Sequence, residues 1–452
     1  MKFGQRHSIR KNLKPIEFAK GLWSPEFVEW RDVIEDYLSI SQKRINNKLS
    51  MYKLQINILM DIVNNIKALD QNKSLAKIVQ INYEKSELTK TEFEAQMEHI
   101  NSQLYLYKMV NKALKEIADG IVWKYFEYNR AILYLLAERQ PIDTIRPDRG
   151  TLNNIKEFAE IFSKSDSFAI FNDITNFLRV GDITRIDSDG NIELVEVKSK
   201  REKGARVRRQ KEEMTEIVEF LNAEEGYYHG NNTKIIYTDL KHKYHLKTLN
   251  DAIHRAKDRG YESLLIGSYL IAEIIDFEKI KDSSQAIHFF ESRHNSIKRN
   301  WQENDDFVFQ SYFLDKMDYS KNCAPFSIYP FDIKVRVGLI TGSLMVLTYF
   351  NFSNIIRLLA KAGWETVDSI IFKTEKEIRA LHGKEISTVP LLRVKKGPCT
   401  LDVPADLIAR MKYEFLSVSS VIERLDEIFN RGPKENSVAS ITHSLKERKV
   451  WK

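Results

Sequence analysis

The sequence predicts an α+β protein of several domains: a helical N-terminal region, a central α/β unit with a mixed sheet, and an α+β C-terminal domain. Three observations predict it. Glycine and proline are scarce, 17 and 10 among 452 residues, and few helix breakers in so long a chain favour long helices. Apolar residues recur at steps of three and four through most of the first third of the chain, the period of a helix with one buried face. From about 150 to 275, short β-type runs then alternate with helical patterns, the texture of a sheet packed against helices.

In chain order, Ser24-Pro25 supplies a cap and a first-turn residue, a helix start. Phe27, Trp30, Ile34, Tyr37 and Leu38 follow at helical spacing. A second stripe runs Leu54, Ile58, Leu59, Ile62, Val63, Ile66 and Leu69, and a third runs Phe93, Met97, Ile100, Leu104, Tyr107, Val110, Leu114 and Ile117. The third alternates steps of three and four, as a helical hairpin or short coiled coil does; intramolecular packing accounts for it, and self-association through these helices is the alternative. Residues 1–145 are therefore expected to be helical, with a linker around Pro141–Gly150.

Residues 146–277 are expected to form the central domain: a helix at 151–163, β-runs at 168–171, 179–187 and 192–199, a charged helix near 205–222, KIIYT at 234–238 and a helix near 248–259. Residues 278–430 read as an α+β accessory domain. There IKVRVGLI and SLMVLTYF flank Thr341-Gly342 like two strands of a hairpin, with helical patterns at 352–363, 373–381 and 404–428. Residues 431–452 read as a polar, basic tail.

Composition narrows the function. The chain is 43% hydrophobic and 29% charged, a soluble globular balance. Two cysteines, Cys323 and Cys399, build neither a disulfide framework nor a Cys-based zinc site and point to a reducing cytoplasm. The most apolar stretch, 338–350, has 13 residues, short of the ~20 that a membrane helix needs. The basic start, MKFGQRHSIRKNLK, leads into no apolar run and does not read as a secretion signal. Phosphate-loop, dinucleotide and nucleophile-elbow motifs are absent, which argues against an ATP motor, a dinucleotide site or a serine hydrolase. His242 and His245 read as ordinary surface histidines.

The chemistry concentrates in GDITRIDSDGNIELVEVKSK, residues 181–200. It has the form of two strands joined by a tight turn at Ser188-Asp189-Gly190-Asn191. Alternation sets Leu194, Glu196, Lys198 and Lys200 on one face of the second strand, with Glu196 and Lys198 roughly 7 Å apart. The turn brings Asp182 back beside them. Two close carboxylates repel unless a cation sits between them, and hard oxygen ligands suit Mg²⁺ or Mn²⁺. With a lysine alongside, that set suits phosphodiester hydrolysis.

Asp182, 13 intervening residues, then Glu196-Val197-Lys198 resembles the core pattern of the PD-(D/E)XK nuclease superfamily over about residues 150–245. The resemblance implies a PD-(D/E)XK-like nuclease core in the central domain, a metal site of Asp182, Glu196 and the Val197 carbonyl, and Lys198 as catalytic lysine. Val180-Gly181 stand where the family has its loosely kept proline. Some exonuclease branches carry a Gln-X-X-X-Tyr element in the next helix; Gln210 resembles that glutamine, with Met214 in place of the tyrosine, and reads either as organising the site or as a boundary residue on an apolar stripe. An upstream carboxylate, Glu160 or Asp173, is a further candidate ligand.

Residues 198–211 carry eight Lys and Arg against one Glu, equal to the chain's whole net charge of +7. Lys200, Arg201, Lys203, Arg206, Arg208 and Arg209, placed directly after the Glu-X-Lys element, are expected to contact phosphates on either side of a cut. The expected partner is nucleic acid, DNA in preference to RNA, with no membrane. A homo-oligomer or a defence-system partner protein, in restriction or anti-phage defence, is compatible with the flanking domains by association of fold alone. Two rival readings stay open: a nuclease-like module that binds without cutting, and a helical interaction scaffold.

Overall fold

A computed structural model describes residues 25–42, 47–137, 149–163, 168–176, 178, 181–187, 190–196, 205–223, 225–228, 231–238, 240–280, parts of 288–301, 308–313, 323–369, 392–403, 405–431 and 439–444. The N-terminal helices are α1 (Pro25–Gln42), α2 (Lys48–Glu84), α3 (Lys90–Tyr125) and α4 (Arg130–Ala137). Helices α2 and α3 form a long hairpin. Its turn is set by Thr89 and Glu92, which cap the start of α3 reciprocally through side chain and backbone. Phe27, Ile34, Leu38, Leu54, Ile58, Leu59, Ile62, Val63, Ile100, Val110, Leu114 and Ile117 are all buried, so the first two stripes and the later part of the third face the core, whereas Phe93, Met97, Leu104 and Tyr107 are half-buried. The linker expected around Pro141 lies outside the described residues.

Helix α5 (Arg149–Ser163) leads into β1 (Phe168–Phe171), β2 (Ile183–Ile186) and β3 (Ile192–Val195), a three-stranded antiparallel sheet in the order β1-β2-β3. Then come α6 (Ala205–Ala223), β4 (Glu225–Tyr228), β5 (Asn231–Thr238), α7 (Leu246–Arg259), β6 (Tyr261–Ile266), β7 (Leu270–Asp276) and β8 (Val308–Tyr312). The rest comprises α8 (Ile333–Thr341), β9 (Leu344–Asn351), α9 (Phe352–Lys361), β10 (Glu365–Ser369), β11 (Leu392–Lys396), β12 (Cys399–Val403), α10 (Ala405–Tyr413), α11 (Val418–Arg431) and β13 (Ala439–Ser444). The fold is α+β. Among the described residues, no helix is long and apolar enough to cross a membrane.

Four expectations change. The central region does not share one mixed sheet: β1-β2-β3 is wholly antiparallel, and the mixed sheet is β13-β5-β4, with β13 parallel to β5 and β4 antiparallel to it. Its third strand comes from the segment read as a tail, so 439–444 belongs to the fold. The boundary at 277 is crossed by the sheet β6-β7-β9-β8, where β7 pairs with β9 from Leu270↔Phe350 to Asp276↔Leu344. Finally, Ile333–Thr341 is a helix rather than a hairpin arm, begun by the Asp332 side chain on Val335 N–H and ended by Gly342 at φ +78°. Every residue from Val335 to Thr341 is buried, and a helix buried all round carries no amphipathic period to read. The 404–428 pattern divides into α10 and α11 at Phe415, which has φ +58°.

The strands of the β1-β2-β3 sheet are four residues long, and helix amides bond to both its edges. Gln55 of α2, fully buried, donates Nε2–H to the Ala169 carbonyl at 3.1 Å and accepts Phe171 N–H at 3.0 Å. These are the two bonds that a neighbouring strand would make. On the far side, Asn222 Oδ1 of α6 accepts Ile192 N–H at 3.3 Å. The Tyr125 hydroxyl of α3 donates to the Phe168 carbonyl at 3.0 Å and also approaches that of Ile186. Phe158 of α5 stacks on Phe171 with centroids 3.7 Å apart. Replacing Gln55 with Leu strands two buried backbone groups, and we expect a loss of about 2–4 kcal/mol in urea-induced unfolding; an unchanged midpoint would show that β1 needs no closure from α2.

Candidate active site

The β2–β3 ladder pairs Ile186↔Ile192, Arg185↔Glu193, Thr184↔Leu194 and Ile183↔Val195. The ladder ends at Ile183↔Val195; Asp182 N–H then donates to the Val195 carbonyl at 2.8 Å, one step off the register, so the strand bulges at Asp182, and Glu196 is the next residue of β3's chain at the same end of the hairpin. Both carboxylate residues are half-buried. Two other acids of this hairpin serve its structure. Glu193 pairs with Arg185 across the ladder at 2.7 Å, and Asp187 accepts Asn191 N–H and Nδ2–H at 2.9 and 3.0 Å, closing the turn.

Asp182 is held from its own N-terminal side. Gly181 takes φ +73°, and a Cβ there would stand 3.1 Å from the Val195 carbonyl oxygen and 3.3 Å from Met214 Cε; the left-handed turn favours glycine. Asn172, fully buried, reaches this bend three times. Its N–H donates to the Asp182 carbonyl at 2.9 Å, its Nδ2–H donates to the Gly181 carbonyl at 3.0 Å, and its Oδ1 accepts the Thr184 hydroxyl at 2.8 Å.

The turn carrying Asn172 is gripped in its place by α3. Asp119, buried, accepts Asn176 N–H at 2.7 Å and Asn176 Nδ2–H at 2.8 Å. Burial, and next the Glu116 carboxylate one turn away, push the Asp119 carboxyl up to about 7 against the pull of those bonds and of Lys115. Burial also raises Asp173, with Lys115 opposing. Helix α3 thus brings Lys115, Glu116 and Asp119 beneath the loop that fixes Asp182.

Of the sequence-predicted residues, Asp182 and Glu196 both lie at one end of the β2–β3 hairpin, next to Ile183 and Val195 respectively. Val197, Lys198, Lys200, Arg201 and Lys203 lie outside the described residues. Arg206, Arg208, Arg209 and Gln210 fall in the first two turns of α6, and Met214, four residues after Gln210, packs by Gly181. Glu160 is exposed, whereas Asp173 adjoins Asn172. Among the described residues, no group of three or more His, Cys, Asp and Glu stands together as a metal site; the acid pair supplies two carboxylate donors, hard oxygens of the type Mg²⁺ and Mn²⁺ take. His242 is buried rather than at the surface, and His245 is half-buried near the Tyr269 hydroxyl, with burial lowering its imidazole. Sequence reasoning missed Asn172, Gly181 and Asp119. Asp119 alone left a signal, an acid inside the otherwise uncharged, mostly apolar run Ile117–Trp123.

Comparison with protein-family models, with curated proteins and with solved structures finds no match to this chain.

An acid raised in the folded state favours folding while protonated. The contribution of Asp119 is full below its unfolded value of 3.8 and is lost as pH climbs to about 7. Asp119→Asn is expected to flatten that part of the Tm-against-pH profile between pH 4 and 7; an unchanged slope would place the titration elsewhere.

Proposed function

We propose that this chain is a metal-dependent nuclease hydrolysing phosphodiester bonds of nucleic acid, DNA in preference to RNA, with Mg²⁺ or Mn²⁺ as cofactor. The observation that carries the reading is the β2–β3 ladder, which ends at Ile183↔Val195 and so leaves Asp182 and Glu196 as the adjoining residues at one end of the hairpin. The order α5-β1-β2-β3-α6 supports it, since it matches the strand–turn–strand and helix layout that the sequence motif implies.

Asp182 and Glu196 together would hold the cation, with the Val197 carbonyl as a further oxygen donor. Bound there, the cation would polarise the phosphate and acidify water. In the net reaction a water oxygen bonds to phosphorus, the bond to the leaving sugar oxygen breaks, and the water's proton ends on that oxygen. Lys198, two residues after Glu196, is assigned to orient the water or to offset charge on the phosphoryl oxygens. Clamping by Asn172 and the bend at Gly181 fix the backbone of Asp182, so its carboxylate needs little reorganisation to meet Glu196. The basic run from Lys200 to Arg209 supplies phosphate affinity without base selectivity.

The test uses the purified full chain on plasmid, single-stranded DNA and RNA. Cleavage is expected with Mg²⁺ or Mn²⁺ and not with chelator. Asp182→Asn, Glu196→Gln and Lys198→Ala are each expected to cut rates by about 100-fold or more while DNA binding by fluorescence anisotropy persists. Equal cleavage by wild type and all three variants would sink the reading, and binding without cutting would favour a nucleic-acid-holding module.

A further inference from the structure

Helix α8 packs against both α1 and α3, and there it sets one buried cation near another. Arg336 of α8 is 8% exposed. Its Nη1–H donates to the Ser327 carbonyl at 2.9 Å, and its buried Nε–H has no acceptor. Ser327 rests on α3: its hydroxyl donates to the Glu116 carbonyl at 2.7 Å, and a Cβ on Gly120 would collide with it. One helical turn beyond Gly120, on the same face, stands Lys124, half-buried. Its Nζ donates at 2.7 Å to the Ser41 carbonyl, at the end of α1.

Both cations are therefore met by neutral carbonyls. Among the described residues, neither forms an ion pair. The acid that acts on Arg336 is Asp332, and it is committed elsewhere. One of its oxygens accepts Val335 N–H at 2.9 Å, and the other stands 3.5 Å from His254 Nε2. Lys and Arg are seldom buried without a paired charge, and a like charge close by adds to the cost. Burial, and next the Arg336 guanidinium, lower the Lys124 amine to about 8, so at pH 7 it still carries its proton.

We infer that Lys124 and Arg336 form a binding site for a phosphate-type oxyanion at the junction of α1, α3 and α8. A guanidinium presents a fork of donors matched to phosphate oxygens, and an ammonium adds a compact charge. Lys124 spends one of its three donors on Ser41 and keeps two. Gln42, next to Ser41, is exposed, so an anion approaches from that end of α1. Free phosphate and the terminal phosphate of a nucleic-acid end share this chemistry. The site uses neither Asp182 nor Glu196 and is independent of the nuclease reading.

Isothermal titration calorimetry of the full chain with inorganic phosphate, at constant ionic strength and with chelator present, tests this. Saturable binding with a Kd of about 1 mM or below is expected. Lys124→Arg retains it, whereas Lys124→Gln and Arg336→Gln each weaken it about 10-fold or more. Circular dichroism checks that each variant is folded; if Arg336→Gln is not, Lys124→Gln decides, because its side chain is only half-buried. A short DNA strand with a 5′-phosphate, set against the same strand without one, separates the sources. Competition by the phosphorylated strand alone assigns the site to nucleic-acid ends, and no competition by either assigns it to free phosphate. Absence of saturable phosphate binding overturns the inference. Binding that the charge-removing variants leave unchanged belongs to another basic surface and overturns it as well.

Discussion

A sheet of three four-residue strands has too few ladder bonds to stand alone in water, and its open edges invite wrong partners. The structure depends on how those edges are closed. Gln55 takes the place of a fourth strand along β1 and Asn222 meets β3, so the small sheet is held between helices by side-chain amides. The helix amides therefore belong to the sheet as much as its strands do, and the helical region cannot be an appendage to it. An amide can do this because it offers a donor and an acceptor on one planar group, the same pair that a peptide unit offers.

From that constraint follows the placement of the acid pair. Two carboxylates at one end of a hairpin repel, so the hairpin alone has reason to splay there. Bonds outside the hairpin oppose this. Asn172 ties Gly181, Asp182 and Thr184 to the turn after β1, and Asp119 ties that turn to α3. Asp119 is itself uncomfortable, a buried carboxyl near Glu116 whose raised proton affinity measures the cost. The cost borne at one acid supports the backbone at another, through the bonds to the Gly181 and Asp182 carbonyls and the Asp182 N–H.

Much of this was legible in the sequence, because local rules coincide with tertiary demands there. The stripes of α1, α2 and α3 predict buried faces, and alternation about the Asp187–Asn191 turn predicts which residues oppose one another. Reading failed where the local period vanishes or where a partner is remote. Ile333–Val337 alternates apolar and basic residues, the period of a strand, although Asp332 and Gly342 carried the cap signals of a helix. The strand at 439–444 alternates weakly, and its pairing with β5, some two hundred residues earlier, is invisible to a local window. Asn172 looked like any polar loop residue; its value comes entirely from what folds against it.

The same remoteness argues against regarding the chain as separable modules. Glu414 of the C-terminal part, fully buried, receives Arg130 of α4 in a two-pronged pair at 3.0 and 3.1 Å, Arg410 at 3.2 Å and the Ala324 N–H at 2.6 Å. Glu116 of α3, close to the Asp119 clamp, accepts Phe326 N–H at 2.5 Å. A buried charge stripped of its partner is costly, so Arg130 would be left exposed to that cost by removal of the C-terminal residues, and Glu116 by removal of the segment around Phe326. The helix that steadies the Asp182 loop is thus anchored at its other flank by residues more than two hundred positions later. The acid pair sits in a short local motif, but its geometry is a property of the whole chain.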